Sequence, residues 1–422
     1  MKILRNFIII VILSIGHVSL ERVSFEGHKM LKLIPTTQKH LELIDQLQHN
    51  PDFDLLNRIA LESPVFVVLS PLSLIKYSAL FNENKIEYKI IDSNIQRKLD
   101  LQEKSMNRTR RDVRSIVGKF ARYSEINSYI DEVVLEESEI AASYVAGATS
   151  ENRIVKAIVF RTSTSNRGIF IDCGFHAREW IAVSSCIWLI DQIYKAYDNN
   201  DADMRAILAK YEIHIIPLVN PDGYEYSHTT NRMWRKNRKV NAGSSCVGVD
   251  LNRNFGFQWM TAGASSNPCS ETYAGPSADS ELETKDIQRS ILSRKGFWDA
   301  YLTIHTYGQY WLTSWSYTTD YPADYDDIKL AADKGAAALK SLYGTDYTTG
   351  HSGVLFGRLA GVSDDWAKGV AEVKYAATLE LSPGDGTSDA SFGFALPEDR
   401  VPKVGQELYA GVVGYIKHVG NL

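Results

Sequence analysis

Apolar positions along the chain fall into two regimes. Between Glu21 and about Leu99 they come in short pieces: Met30 to Ile34 predicts a strand, and Thr36 or Thr37 can cap a helix whose apolar face is Leu41, Ile44 and Leu47. Val65 to Leu69 predicts a buried strand, Pro71 opens a second helix through Leu80, and Lys85 to Ile91 alternates as another strand. This is the pattern of a small α+β open sandwich able to fold alone. From Phe120 onward the runs Val155 to Phe160, Gly168 to Asp172, Ile213 to Val219, Tyr301 to Thr306 and Tyr375 to Leu381 are separated by helical stretches such as Val183 to Ala196 and Ile328 to Leu342. That alternation predicts an α/β unit with a mixed, twisted sheet flanked by helices.

Between the two regimes, Arg97 to Arg114 is rich in basic residues and includes Arg108 to Arg111, which predicts an exposed linker of the kind proteases cut. Asn107, Arg108 and Thr109 form a glycosylation sequon there. The other apolar run, Phe7 to Ile15, lies behind Lys2 and Arg5 and has the small residues Ser14, Gly16 and Ser19 at and after its end, the makeup of a secretory signal cleaved between Gly16 and Leu20. No later run reaches the ~20 apolar residues of a spanning helix, so the mature chain is not expected in a membrane. Three segments result: a signal over 1–20, a small domain over 21–111 and a larger α/β domain over 112–422.

Composition narrows the function classes. The 422 residues are 44% hydrophobic and 23% charged, which is ordinary for a globular protein, and 46 basic against 51 acidic side chains leave a net charge of −5. Such a balance does not suit a duplex-binding surface, which must neutralise many phosphates. In a secreted chain Cys173, Cys186, Cys246 and Cys269 persist as disulfides, and spacing alone leaves all three pairings open.

Candidate chemistry sits where the strand Gly168 to Asp172 ends, the place where open α/β sheets build sites. There His176 and Glu179 can reach one locus across a bend, as two of the three protein ligands of a catalytic zinc. Alone, this HxxE spacing is weak, and a capping Glu beside a surface His explains it as well. His305, ending the run Tyr301 to Ile304, supplies a candidate third ligand. Arg232, Arg235, Lys236, Arg238 and Lys239, taken by themselves, read as a solvated basic loop. Glu380 stands between apolar neighbours, including Leu379 and Leu381, where a carboxylate without a task would be costly.

The segments HAREW, NPDGY, NRMWRKNR, GVDLNRNF, IHTYGQY and TLEL occur in the order and approximate spacing of the zinc metallocarboxypeptidases, the family of carboxypeptidases A and B, which the chain resembles from about Asp112 to Leu422. The preceding segment resembles the family's activation propeptide. The resemblance implies one zinc ion held by His176, Glu179 and His305, with Asp250 orienting His176 from behind. It makes Glu380 the general base, Arg235 the stabiliser of the oxyanion, Arg253 with Asn252 the clamp on a substrate's terminal carboxylate, and Arg178 a contact farther along the peptide. It also implies the pairs Cys173–Cys186 and Cys246–Cys269, and a zymogen activated by a trypsin-like protease at Arg110 or Arg111. The expected product is a secreted, extracellular monomer acting on peptide and protein C-termini.

The sequence departs from the family at one place. Family members carry a Tyr nine residues before the Trp of the DW pair; here that position is Gly357, and a one-residue shift gives Phe356, neither with a hydroxyl. Activity is expected to survive, with weaker substrate holding or an altered lid. Asp364, beside Asp365 and before Trp366, matches the Asp of B-type members where A-type ones are apolar, and Ser316 resembles their small polar pocket residue. Such a floor favours C-terminal Lys or Arg. The alternatives are A-type preference for aromatic or aliphatic ends and a catalytically silent peptide-binding homologue.

Overall fold

A computed structural model of the chain describes residues 22–57, 59, 61–106, 116–384 and 387–422. The signal segment, the Asn107 sequon and Arg108 to Arg111 lie outside the described residues.

The N-terminal unit comprises β1 (Lys29–Ile34), α1 (Gln38–Leu47), β2 (Asp54–Leu55), β3 (Val65–Leu69), α2 (Pro71–Glu83), β4 (Glu87–Asp92) and α3 (Ile95–Ser105). Its antiparallel sheet runs β2-β3-β1-β4. Local chemistry sets the helix starts: Thr37 Oγ1 accepts the His40 N–H at 3.2 Å, and Ser70 Oγ accepts that of Ser73 at 3.1 Å just before Pro71. The expected α+β sandwich is present.

One expectation fails here. The charged stretch read as linker from Arg97 is, up to Ser105, the body of α3. Ile95, Leu99 and Gln102 fall on one buried helical stripe while most charges face solvent, so counting charges hid a period of three and four. That stripe docks on the larger unit: Ile95 and Leu99 share an apolar cluster with Met233, Tyr307 and Phe394, and Gln102 Nε2 donates to the Leu396 carbonyl at 2.8 Å.

The larger unit contains α4 (Tyr123–Glu136), β5 (Ala141–Ala148), β6 (Ile154–Phe160), β7 (Arg167–Cys173), α5 (Trp180–Asp198), α6 (Ala202–Lys210), β8 (Tyr211–Ile216), α7 (Pro221–Thr229) and α8 (Leu282–Leu292). It continues with β9 (Trp298–Gly308), β10 (Tyr310–Thr313), α9 (Tyr325–Tyr343), β11 (Thr348–His351), α10 (Ser352–Leu355), α11 (Ser363–Gly369), β12 (Tyr375–Gly384) and α12 (Val401–Gly420). The eight-stranded sheet runs β11-β10-β12-β9-β7-β8-β6-β5, with β12, β9, β7 and β8 parallel at its centre. One face is covered by α5, α9 and α12 through residues such as Ile187, Leu339 and Leu408, the other by α8 and α11 through Ile287 and Trp366. Parallel strands buried on both faces read as continuous apolar runs, which is why they were legible. No helix among the described residues is long and apolar enough to cross a membrane.

Candidate metal centre and peptide cleft

The centre forms at the carboxyl ends of the parallel strands. After β7, Gly174 turns with φ +74°, and a Cβ there would lie 2.8 Å from Val183 Cγ2, so the turn needs glycine. The turn places His176 and Glu179 just ahead of α5. His305 on β9 and Glu380 on β12 are direct cross-strand partners, so sheet register alone sets them side by side.

His176 Nδ1 lies 2.7 Å from Glu179 Oε1 and 3.2 Å from His305 Nδ1, which is 3.1 Å from Glu179 Oε2. All three side chains are buried. The outer nitrogen of each ring is engaged elsewhere: His176 Nε2 donates to Asp250 Oδ1 at 3.1 Å, and His305 Nε2 is 3.1 Å from Thr303 Oγ1. His176 therefore turns its lone-pair Nδ1 to the centre, where His305 Nδ1 and the Glu179 carboxylate meet it. A nitrogen, nitrogen and oxygen set fits a catalytic zinc, with one position left open.

Asp250 is fully buried and accepts Arg235 Nε at 3.1 Å and Nη2 at 2.9 Å. Burial alone would raise its carboxyl, but Arg235 and His176 outweigh it and hold the group well below the usual range. This leaves Arg235 Nη1 directed at the centre, 4.0 Å from Glu179 Oε1. The rest of the basic loop is not solvated, contrary to its reading in isolation: Lys236 is buried, and Arg232 and Arg238 stack on Trp180 and Tyr226 at 3.7 Å.

A cavity of about 580 Å³ joins His176, Glu179, His305, Glu380, Arg235, Asn252, Arg253, Ser316 and Asp364. The structure thus gathers nine of the sequence-derived candidates around one cavity, with Asp250 behind His176 and Arg235. Burial pushes the Glu380 carboxyl up to about 8, against the pull of His305. Arg253 gives Nε to the Gly263 carbonyl at 2.8 Å and Nη1 to that of Asn252 at 2.7 Å, which fixes the plane of its guanidinium. Asn252 Oδ1 accepts the Ser363 N–H at 2.9 Å.

At the far end, Asp364 is 1% exposed. Burial raises its carboxyl, while Thr378 and main-chain N–H groups at the start of α11 work the other way. Ser316 Oγ lies 3.4 Å from Asp364 Oδ2 and donates to Ser352 Oγ at 2.8 Å. The neighbouring Asp365 faces elsewhere, accepting the N–H groups of Ser316 and Tyr317 at 2.8 and 2.9 Å. Ser352 escaped the sequence reading because it lies in no recognisable motif, and Thr378, though it opens TLEL, because only Glu380 of that segment was given a role. Gly357, with φ +85°, lines the same cavity together with Phe356, whose ring packs edge-on against Tyr310 at 5.6 Å.

The N-terminal unit roofs this cavity through Leu41, Phe53 and Ile59. Asp54 and Leu55 of β2 reach Arg178, which donates Nη1 to Asp54 Oδ1 at 2.8 Å and Nη2 to the Leu55 carbonyl at 3.3 Å. Sequence reasoning did not find this contact, since a two-residue strand leaves no periodicity. The disulfides join Cys173 to Cys186, beside the His176 turn, and Cys246 to Cys269, around the segment carrying Asp250.

A two-His, one-carboxylate centre at strand ends, opening on a guanidinium-lined cleft under a separate N-terminal unit, defines a metal-dependent hydrolase held in precursor form. The chain belongs to the zinc carboxypeptidase family: the family profile "Zinc carboxypeptidase" matches residues 126–411 and "Carboxypeptidase activation peptide" matches residues 31–102. It is 33% identical to carboxypeptidase B of Rattus norvegicus over 98% of this chain and 97% of that one. It is 32% identical to carboxypeptidase A2 of the same species over 94% of each. The crystal structure of thrombin activatable fibrinolysis inhibitor superposes with a TM-score of 0.83 at 26% identity, covering 94% of this chain and all of that one. The protein is therefore a zinc carboxypeptidase made with an activation peptide.

Proposed function

We propose that the chain is a secreted zymogen whose processed form removes C-terminal Lys or Arg from peptides. The observation that carries the specificity is Asp364: a buried carboxylate at the blind end of the cleft, faced by hydroxyls and main-chain N–H groups, with no ion-pair partner among the described residues. A substrate cation would supply the missing charge, whereas an apolar end would leave it unpaired.

His176, Glu179 and His305 hold the zinc in this reading. The bound ion supplies polarisation of the scissile carbonyl and acidification of water. Arg253, assisted by Asn252, takes the terminal carboxylate and so restricts cleavage to the last residue. Glu380 accepts a proton from the attacking water at its carboxylate and returns it to the departing amine. Arg235, braced by Asp250, neutralises charge developing on the carbonyl oxygen. Arg178 contacts residues upstream of the scissile bond. Lacking a hydroxyl at Gly357, the cleft closes less firmly over substrate.

The apolar N-terminal run and the two disulfides support secretion, with removal of residues 1–20. The roofed cavity supports inertness of the intact chain until a trypsin-like protease cuts at Arg110 or Arg111, releasing a monomeric catalytic domain over 112–422. The test is release of the last residue from matched peptides ending in Arg, Leu and Phe, before and after trypsin and with and without chelator. Arg release that needs trypsin and stops with chelator is expected. Preference for Leu or Phe would give the A-type reading, and no chelator-sensitive release at all would leave a silent homologue.

A further inference from the structure

Two complementary atoms beside the cleft lack hydrogen-bond partners among the described residues. Arg178 is 1% exposed, and although both terminal nitrogens are bound by the activation segment, its Nε is buried and unpaired. Glu271, two residues beyond Cys269, lines the cavity, and its Oε2 is likewise buried and unpaired. Leaving a buried donor and a buried acceptor unsatisfied costs free energy, and here the two belong to side chains that sense each other. Burial opposes the charge on Arg178, and Asp54 followed by Glu271 more than offsets it. Burial raises Glu271, Asp54 raises it further, and Arg178 pulls it down.

The other cations near Glu271 are already engaged. Lys236 Nζ donates to the Pro268 carbonyl at 2.7 Å, and Arg235 is bound to Asp250. Asp54 and Glu271 are thus like charges around one guanidinium, and only Asp54 has a hydrogen bond to it.

We propose that Glu271 is a positioning residue for Arg178 in the processed enzyme: the resident counter-charge that takes over the guanidinium once Asp54, which holds Nη1 before processing, departs. When the activation segment departs, Glu271 pairs with Arg178, which satisfies both unpaired atoms and steadies the guanidinium beside the path of the peptide. The same exchange favours departure, because bringing Asp54 back means parting Arg178 from Glu271 and setting two carboxylates together. The positioning half of this proposal rests on the reading of Arg178 as a contact for upstream peptide residues.

The test is a double-mutant cycle on the full chain cut in its linker, reading the rate at which the activation segment dissociates by size-exclusion chromatography at low salt. Glu271→Gln is expected to slow dissociation about fivefold when Asp54 is present and to leave it unchanged in the Asp54→Asn background, the signature of a coupled pair. Glu271→Asp keeps the charge and is expected to keep the faster rate, separating a charge effect from damaged packing. In the processed enzyme, Glu271→Gln should raise KM for hexapeptides more than for tripeptides. Dissociation unaffected by Glu271→Gln, or slowed equally with and without Asp54, would overturn the exchange. Because dissociation is read without catalysis, failure of the enzymatic reading would show separately, as absence of chelator-sensitive hydrolysis.

Discussion

The two ends of the cleft treat buried carboxylates in opposite ways. At the metal end, Asp250 is held by Arg235 and His176, and Glu179 stands against two imidazoles. At the pocket end, Asp364 is as deeply buried but meets hydroxyls and main-chain N–H groups, without an ion pair among the described residues. A buried charge left unpaired is expensive; among the described residues the fold gives Asp250 and Glu179 partners from its own side chains and gives Asp364 no ion pair. On the proposed reading of Asp364, that asymmetry separates the groups that hold the metal from the group that selects the substrate.

The largest effects are expected at the metal end. His305→Ala leaves two protein ligands and is expected to abolish nearly all zinc binding and peptide hydrolysis; metal analysis of the purified variant checks this, and full zinc occupancy would remove His305 from the ligand set. Glu380→Gln is expected to retain zinc while kcat falls by roughly 10²–10⁴, the usual worth of a general base, in a steady-state assay of the processed protein. Retained metal with lost turnover would distinguish the proton-transferring carboxylate from the ligating one.

A smaller effect tests the premise that an unpaired buried carboxylate is costly. Glu283 lies outside the cleft, is 1% exposed, and leaves Oε1 without a partner among the described residues; burial pushes it up to about 8. An acid whose folded pKa exceeds its unfolded value, about 4.3, binds more protons when folded, so its contribution to stability is full below about pH 4 and is lost as pH rises toward 8. Tm should therefore fall between pH 5 and 8 by a few degrees more in the parent than in Glu283→Gln. Equal slopes would show that this burial carries no such cost.

Much of this arrangement was legible in the sequence, for reasons that differ by element. The central parallel strands announce themselves as apolar runs, and motif order supplied His176, Glu179, His305, Asp250 and Glu380, all of which the fold brings to one locus. Ser352 was hidden because its place at the pocket depends on a loop path rather than on local pattern, and Thr378, although it opens TLEL, because pattern does not show that its side chain turns to Asp364. The Asp54–Arg178 contact was hidden because it joins residues 124 positions apart, one in each unit, and α3 because its charges masked its apolar stripe.

The comparison is tested most directly by the ratio of kcat/KM for peptides ending in Arg and in Leu, measured on the processed protein before and after Asp364→Asn. If Asp364 awaits a substrate cation, the parent prefers Arg, and the substitution lowers kcat/KM for Arg by about 10²-fold, the scale of a lost buried charged hydrogen bond, while Leu changes little. A parent that already prefers Leu, or a variant in which both substrates fall together, would contradict the claim that the pocket end is completed by a basic side chain.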